Sequence, residues 1–367
     1  GGDCPGLNAV NRAATKRAIL GYGWEVWGCY DAFNGLLVEE GAQLEITQLT
    51  LENTADILTK GGTILGTNSK GEPFHFPTKE ADGSTVYEDR SNLMVRRVQE
   101  LGIDYIISIG GDGSQSISLQ LIEKGLNVIG VPKTIDNDLS ATDFTFGFQT
   151  AVNIATEAVD RLRTTGESHD RVMILEVMGR DAGWIALHAG ITGGADIILI
   201  PEIPYKLAAV TDTLQKNVEH GQFCSIIVVA EGAKEIGGEV VGETIQQGTH
   251  KKIRLGGIGE HLGKQITNAT GLETRVTVLG HLQRGGTPSP FDRLLASQFG
   301  AKAVDLVAED KNGYMVALRT PDIVAVPISE AIEHYNFIDP ESQVVQIARG
   351  IGIGFGDISV DSHKEPV

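Results

Sequence analysis

The chain has 367 residues, 41% of them apolar, with 46 glycines and 12 prolines. That size suits two domains with ample core, and that glycine usage suits an α/β protein with many tight strand-to-helix turns. Its formal charge of −18 argues against nucleic acid or anionic membrane as partners, and no apolar run reaches the ~18 residues of a membrane-spanning helix.

Three cysteines, Cys4, Cys29 and Cys224, form no CxxC and are odd in number. They point to a reduced, cytoplasmic setting, and no signal peptide is visible. The chain opens on Gly1-Gly2-Asp3-Cys4-Pro5-Gly6, a glycine-rich turn into a helix that carries Val10, Ala14 and Ala18 at helical spacing. Pro5 suits a first helical turn and Gly21 a helix end. A helix N-terminus binds phosphate readily, although so short a glycine motif reads equally as a plain turn. Arg12 and Lys16, one turn apart, read as a solvated basic edge. Strands are expected over 25–30 and 44–49, and a helix over 51–58. Gly61-Gly62 then breaks the pattern and leads into residues 63–70. Residues 71–89 read as a surface excursion rich in turn formers. Residues 91–101 read as a helix with Ser91 as its N-cap.

The next stretch, 105–138, reads YIISIGGDGSQSISLQLIEKGLNVIGVPKTIDND. An apolar run, 105–109, has the length and β-branching of a buried strand. It ends in Gly110-Gly111-Asp112-Gly113-Ser114, and a helical pattern follows with Ile117, Leu121 and Ile122 on one face. A second run, 128–131, ends in Pro132-Lys133-Thr134-Ile135-Asp136-Asn137-Asp138. One βαβ unit therefore sets a glycine-rich loop and an acidic loop side by side at strand carboxyl ends, where parallel sheets bind ligands. The glycines let backbone N–H groups approach a polyphosphate. Asp112 offers an oxygen to Mg2+, and Asp136 or Asp138 can take a proton from an attacking hydroxyl. Each loop alone is matched by an ordinary Asp-rich turn; the pair at this spacing points to phosphoryl transfer.

Residues 151–163 form an amphipathic helical pattern, closed by Arg161 and Arg163. Ser168-His169-Asp170-Arg171 precedes a strand at 172–177, and Met178-Gly179-Arg180 follows it, with Asp181 as cap of a helix at 182–191. Strands are expected at 196–200 and at 224–230, the latter ending in Glu231-Gly232; a carboxylate there can accept from sugar hydroxyls. Residues 234–256 read as a mobile loop or small hairpin and 258–268 as a helix. A strand at 273–279 leads to Gly280-His281-Leu282-Gln283-Arg284-Gly285-Gly286. With Arg275 this gathers two arginines and a histidine, a plausible phosphate clamp because guanidinium forks match phosphate oxygens. The remainder reads as a helix at 296–308, strands at 314–318 and 323–327, helices at 330–335 and 341–349, and a glycine-rich, then polar tail.

GGDGS followed by PKTIDND resembles the phosphofructokinase family, as do GGDCPGLNAV (1–10), GGTILGT (61–67), SHDRVMILEVMGR (168–180), AEGA (230–233) and ETRVTVLGHLQRGG (273–286). In that family the opening GGD loop follows a strand, so the chain reads as truncated at its start. The resemblance implies an α/β fold of two doubly wound, Rossmann-like domains facing an active-site cleft. Residues 1–147 plus about 284–335 would hold nucleotide and Mg2+; residues 148–283 plus about 336–367 would hold sugar phosphate. It implies transfer of the γ-phosphoryl group of ATP to the 1-hydroxyl of fructose 6-phosphate, in a glycolytic, cytoplasmic homotetramer with shared sugar sites. By the same resemblance Asp136 is the base, Thr134 positions the transferring group, Arg180 balances its charge, and Asp112 holds Mg2+. Gly2, Gly111, Gly113 and Ser114 contact ATP. Lys70 stands where many relatives have an arginine, offering a point charge without the fork. Ile135, Asp138, Met178, Gly179, Glu231, His281, Leu282, Gln283 and Arg284 join Thr134, Asp136 and Arg180 around the sugar. Arg171 and Arg275 reach the sugar phosphate of a neighbouring subunit, and Arg12 and Lys16 correspond to effector-binding positions of bacterial relatives.

The donor rests on two positions. Pyrophosphate-using relatives carry aspartate at Gly113, where a carboxylate would repel the nucleotide; glycine favours ATP. Lys133 pulls toward pyrophosphate, although some ATP-using relatives combine that glycine with that lysine. Two other classes fit less well. A nicotinamide-dependent dehydrogenase would need GxGxxG and an acid ~20 residues later, which neither glycine loop supplies. A catalytically dead regulatory subunit would lack Asp136 or Arg180, and both are present.

Overall fold

The apolar runs become two parallel sheets, each in its own unit of the chain. The structure, a computed structural model, describes residues 2–39, 41–68, 72–80, 82–247 and 250–358. One unit comprises Gly1–Ile135, Leu139–Gln149 and Arg284–Tyr335; the other comprises Asp136–Asp138, Thr150–Gln283 and Asn336–Val367.

In the first unit, strand Ile106–Gly110 pairs in parallel with Val128–Thr134, with Ile107 opposite Ile129 and Gly110 opposite Pro132. Val128–Thr134 pairs in parallel with Tyr314–Arg319, which carries an antiparallel edge strand, Asp322–Pro327. All seven residues of Val128–Thr134 are buried, as expected of a strand covered on both faces. Helix Asp112–Glu123 packs Leu121, fully buried, into a cluster with Val128, Met94 and Leu37. Truncating such a leucine to alanine typically costs ~2–5 kcal/mol. Helices Leu7–Arg17 and Pro290–Ala308 lie against each other so closely that a Cβ on Gly300 would sit 2.5 Å from the Val10 carbonyl oxygen.

In the second unit, Thr274–Val278, Val172–Val177, Ser225–Ala230 and Ile197–Leu199 form a parallel sheet in that order. Its two inner strands are wholly buried. Glu176, on an inner strand near its carboxyl end and 2% exposed, accepts hydrogen bonds from the N–H groups of Gly257 (3.0 Å) and Gly259 (2.8 Å). It thereby satisfies two backbone N–H groups at the N-terminus of helix Ile258–Thr270.

Several local expectations change. Residues 51–58 are turns, because Thr50 and Asn53 exchange side chain-to-backbone hydrogen bonds (2.8 and 3.1 Å) that compete with a helix. The 71–89 excursion contains an antiparallel pair, Phe76–Lys79 with Thr85–Glu88. Ser91 is the first residue of its helix rather than the cap; the Asp89 carboxylate accepts its N–H at 2.8 Å. The opening helix runs on through a π turn, Ala18–Tyr22, and ends at Gly23 with φ 70° rather than at Gly21. Arg161 and Arg163 lie inside helix Phe148–Glu167, and Arg163 donates to the carbonyls of Gly193 and Gly194. Residues 234–256 take the second of their two expected forms, with the antiparallel pair Gly242–Gln247 and His250–Leu255.

Candidate active site

In the first unit the chemistry gathers at the carboxyl ends of two adjacent strands. Gly110 ends one strand, and a Cβ there would lie 2.2 Å from the Ser114 side chain; the loop can turn this tightly only with glycine. Gly111 is the N-cap of helix Asp112–Glu123, and its Cα faces the neighbouring strand, with a hypothetical Cβ 3.5 Å from the Lys133 carbonyl oxygen and 3.9 Å from Thr134 Cβ. Gly113 differs. A Cβ there would meet nothing within 4 Å, and its φ is not positive. Neither packing nor backbone geometry within the chain demands glycine at 113. Asp112, half-buried in the first helical turn, accepts a 2.6 Å hydrogen bond on Oδ2 from the Tyr335 hydroxyl.

The opening loop joins this group. Arg284 Nη1 donates to the Asp3 carbonyl (3.3 Å), and Gly2 packs against the same nitrogen. Burial pushes the Cys4 thiol up to about 12, with Lys133 and Arg284 pulling it down and Asp292 and Asp3 pushing it up. Those charges therefore surround one buried thiol, which is inert as a nucleophile. Asn8 ties the 61–68 loop to the first helix, donating to the Lys60 carbonyl (3.1 Å) and accepting from the Ile64 N–H (2.9 Å). Arg12, read as a basic edge, donates to the Ala55 carbonyl at 3.2 Å.

In the second unit the strand register aligns three loops at one end of the sheet. Val177 stands opposite Ala230, and Glu176 opposite Val278. Met178-Gly179-Arg180, Glu231-Gly232 and Gly280–Arg284 thus leave the sheet together, at its carboxyl end. Glu231 N–H bonds the Val177 carbonyl (2.9 Å) and Gly232 N–H the Gly179 carbonyl (3.0 Å). Gly232 is required sterically, since a Cβ would fall 1.9 Å from the Arg180 carbonyl oxygen. Gln283, fully buried, accepts from the Met178 N–H (3.3 Å) and donates to the Gly280 carbonyl (3.1 Å), fixing the position of that loop. A cleft of about 360 Å³ lies here, lined among others by Arg180, Glu202, Gly232, Lys234 and Phe337. Arg180 is about half exposed, with Asp181 3.7 Å away. Glu202 accepts from the N–H groups of Gly183 (3.1 Å) and Ile338 (3.0 Å), and its burial raises its carboxyl above the usual range. It takes the place at this helix start that the sequence assigned to Asp181; the N-cap is Gly183. Asp136–Asp138 also belongs to this unit.

The family model described as Phosphofructokinase matches residues 1–307. This chain belongs to the phosphofructokinase family. It is 51% identical over 357 residues, 97% of the chain and 96% of the relative, to the ATP-dependent 6-phosphofructokinase of Chloroflexus aurantiacus. It is 48% identical over 341 residues, 93% of the chain and 95% of the relative, to the pyrophosphate–fructose 6-phosphate 1-phosphotransferase of Amycolatopsis methanolica. The crystal structure of Pichia pastoris phosphofructokinase in the T-state superposes with a TM-score of 0.76 at 30% identity, covering 96% of this chain. The chain spans about a third of that solved chain, 35% of its length.

For a phosphofructokinase family member, the expected site residues fall into three groups. Gly2, Gly111, Asp112, Gly113, Ser114, Lys133, Thr134, Ile135 and Arg284 lie in the first unit. Met178, Gly179, Arg180, Glu231, His281, Leu282 and Gln283 lie in the second, on loops at the carboxyl side of its strands, and Asp136 and Asp138 belong to that unit too, on the loop that follows strand Val128–Thr134. Arg171 and Arg275 lie in the second unit too, but at the amino end of the sheet, where Val172 pairs with Thr274. A strand of six residues, ~20 Å, separates Arg171 from Met178. Both arginines converge on one carboxylate, Glu273, with Arg171 Nε at 3.0 Å. Arg171 holds the Glu273 carboxyl below its usual range. Lys70 lies outside the described residues. Tyr335, Asn336 and Glu202 carry no motif, and each makes its contacts with groups that only folding brings near; Glu273 opens one of the quoted strings, but its pairing with Arg171 also appears only in the fold.

Proposed function

We propose that this chain transfers the γ-phosphoryl group of ATP to the 1-hydroxyl of fructose 6-phosphate, giving fructose 1,6-bisphosphate and ADP. The similarity to the Chloroflexus relative over nearly the whole chain supports the reaction class. The observation that carries the donor is Gly113, a glycine in open space that the fold itself does not require. The backbone of Gly111–Ser114 and Gly2 would meet phosphate oxygens, with Asp112 as the Mg2+ ligand. Among the described residues no group of three or more His, Cys, Asp or Glu side chains can hold a metal. One half-buried carboxylate fits Mg2+, which is usually held by one or two carboxylates together with waters and substrate phosphates. When bound, the ion neutralises phosphate charge.

Asp136 accepts the proton of the 1-hydroxyl, Thr134 orients the transferring group and Arg180 offsets its charge. Positioning and charge compensation carry most of such a transfer. Ile135, Asp138, Met178, Gly179, Glu231, His281, Leu282, Gln283 and Arg284 hold the sugar phosphate. Arg171 and Arg275, remote from Arg180 along their own sheet, complete the sugar site of a neighbouring subunit in a homotetramer. The first unit serves nucleotide and Mg2+, the second the sugar, in a cytoplasmic glycolytic enzyme. None of the described helices is long and apolar enough to cross a membrane.

A second reading, with pyrophosphate as donor, is favoured by Lys133, which is 5% exposed at the end of its strand, and by the Amycolatopsis relative. A coupled assay for fructose 1,6-bisphosphate with each donor in turn separates the two. Turnover with Mg2+ and ATP but not with pyrophosphate supports the first; the converse overturns it.

A further inference from the structure

The acidic loop after strand Val128–Thr134 is held by a residue that the reaction scheme above does not use. Asn336 donates its side-chain amide to the Asn137 carbonyl at 2.9 Å. Its backbone N–H donates to the Asp138 carbonyl, also at 2.9 Å. Its own carbonyl accepts from Trp184 Nε1 at 2.7 Å, so the clamp is anchored on the first residue of helix Trp184–Thr192. Two residues on, the Ile338 N–H donates to Glu202, which also accepts from Gly183 just before that helix. Segment 336–338 is therefore fixed to the Gly183–Trp184 turn at both ends before it touches the loop.

What it holds is unusual backbone. Asn137 stands at φ 53°, in the left-handed region. Asparagine tolerates that region better than most side chains, yet occupying it still costs free energy that the surroundings offset, and such positions cluster at functional sites. Asn137 is 3% exposed, and Asp136 and Asp138 flank it. We propose that Asn336 is a positioning residue for Asp136. It keeps Asn137 in the left-handed conformation and so sets the direction in which the preceding carboxylate leaves the backbone. Relaxation of Asn137 to ordinary φ would swing that carboxylate, and a general base must come within ~2.6–3.2 Å of the proton it takes. A misplacement of ~1 Å costs on the order of 10²-fold in rate. The proposal rests on the reading of Asp136 as the base.

The test is a double-mutant cycle on the full chain with ATP, Mg2+ and fructose 6-phosphate. Asn336→Ala removes the amide donor and leaves the backbone contacts. Its kcat should fall roughly 10–10²-fold, with both KM values within about threefold of wild type. In an Asp136→Ser background the same change should cost less than about twofold, because no base remains to be aimed. Trp184→Phe, which keeps an aromatic ring but loses the anchoring N–H together with part of the indole, should show a smaller loss with the same dependence on Asp136; it serves where Asn336→Ala does not fold. A loss of equal size in both backgrounds, or no loss in either, overturns the proposal. Wild-type turnover by Asp136→Ser itself would instead overturn the base assignment.

Discussion

Gly113→Asp separates what the fold needs from what the donor needs. A side chain at 113 meets no protein atom within 4 Å. The residue lies in the first turn of a twelve-residue helix, Asp112–Glu123. Replacing glycine in a helix gains ~0.5–1 kcal/mol of propensity, less for aspartate, and a carboxylate near a helix N-terminus adds ~0.3–1 kcal/mol. The variant should therefore melt no lower than wild type. Against a nucleotide phosphate the same carboxylate is costly. Two unit charges ~4 Å apart at an effective dielectric of ~20 repel by about 4 kcal/mol. Allowing for screening and side-chain escape, about 2–4 kcal/mol remains, or ~30- to 10³-fold in kcat/KM for ATP. The assay is steady-state turnover over a range of ATP, beside a thermal melt of the same preparation. Gly113→Ala serves as a size control with a smaller loss. An unchanged kcat/KM for ATP in Gly113→Asp refutes the steric and electrostatic reading. A melting temperature lowered by more than a few degrees refutes the claim that the fold tolerates a side chain there.

Glu273→Gln should release Arg171 and Arg275 from their shared carboxylate and lower the KM for fructose 6-phosphate roughly two- to fivefold; an unchanged or raised KM would show that Glu273 does not compete with the sugar phosphate. Because Arg171 lowers the Glu273 pKa, this ion pair persists as pH falls past the ordinary carboxylate range and is lost only below it, so the advantage of the variant should shrink at the acid extreme. Tyr335→Phe removes the donor to Asp112 Oδ2 and should weaken ATP binding about three- to tenfold with Mg2+ present, with little change when Mg2+ is chelated; calorimetric titration in both conditions is the check, and equal weakening in both contradicts a role at the metal carboxylate. Burial lowers the His188 pKa, so the unfolded state binds the proton first and stability falls as pH drops below ~6.5. His188→Gln should flatten the fall in melting temperature between pH 7.5 and pH 5.5; an unaltered slope counts against a neutral, buried imidazole.

Runs such as 105–109 and 128–131 were legible as buried strands because β-branched residues between glycine turns have few other uses, and the α/β class followed from their alternation with helical patterns. The glycine loops were legible for a related reason. Only glycine fits beside Ser114 at Gly110 or against the Arg180 carbonyl at Gly232. What stayed hidden were contacts whose partners are far apart along the chain. Tyr335 reaches Asp112 across 223 positions, and Asn336 reaches Asn137 across 199; nothing in HYNF marks either. Residues 51–58 misled because their apolar spacing is helical while Thr50, Asn53 and Thr54 bind nearby backbone groups instead. The caps at Ser91 and Asp181 were misplaced by one or two residues, a shift that side-chain identity alone does not resolve.

The most direct measurement is phosphoryl transfer by Asp136→Ser, followed by 31P NMR of fructose 1,6-bisphosphate and ADP and paired with calorimetric titration of fructose 6-phosphate. The account predicts turnover reduced roughly 10²–10⁴-fold with sugar-phosphate affinity close to wild type. Bisphosphate appearing at the wild-type rate would contradict it.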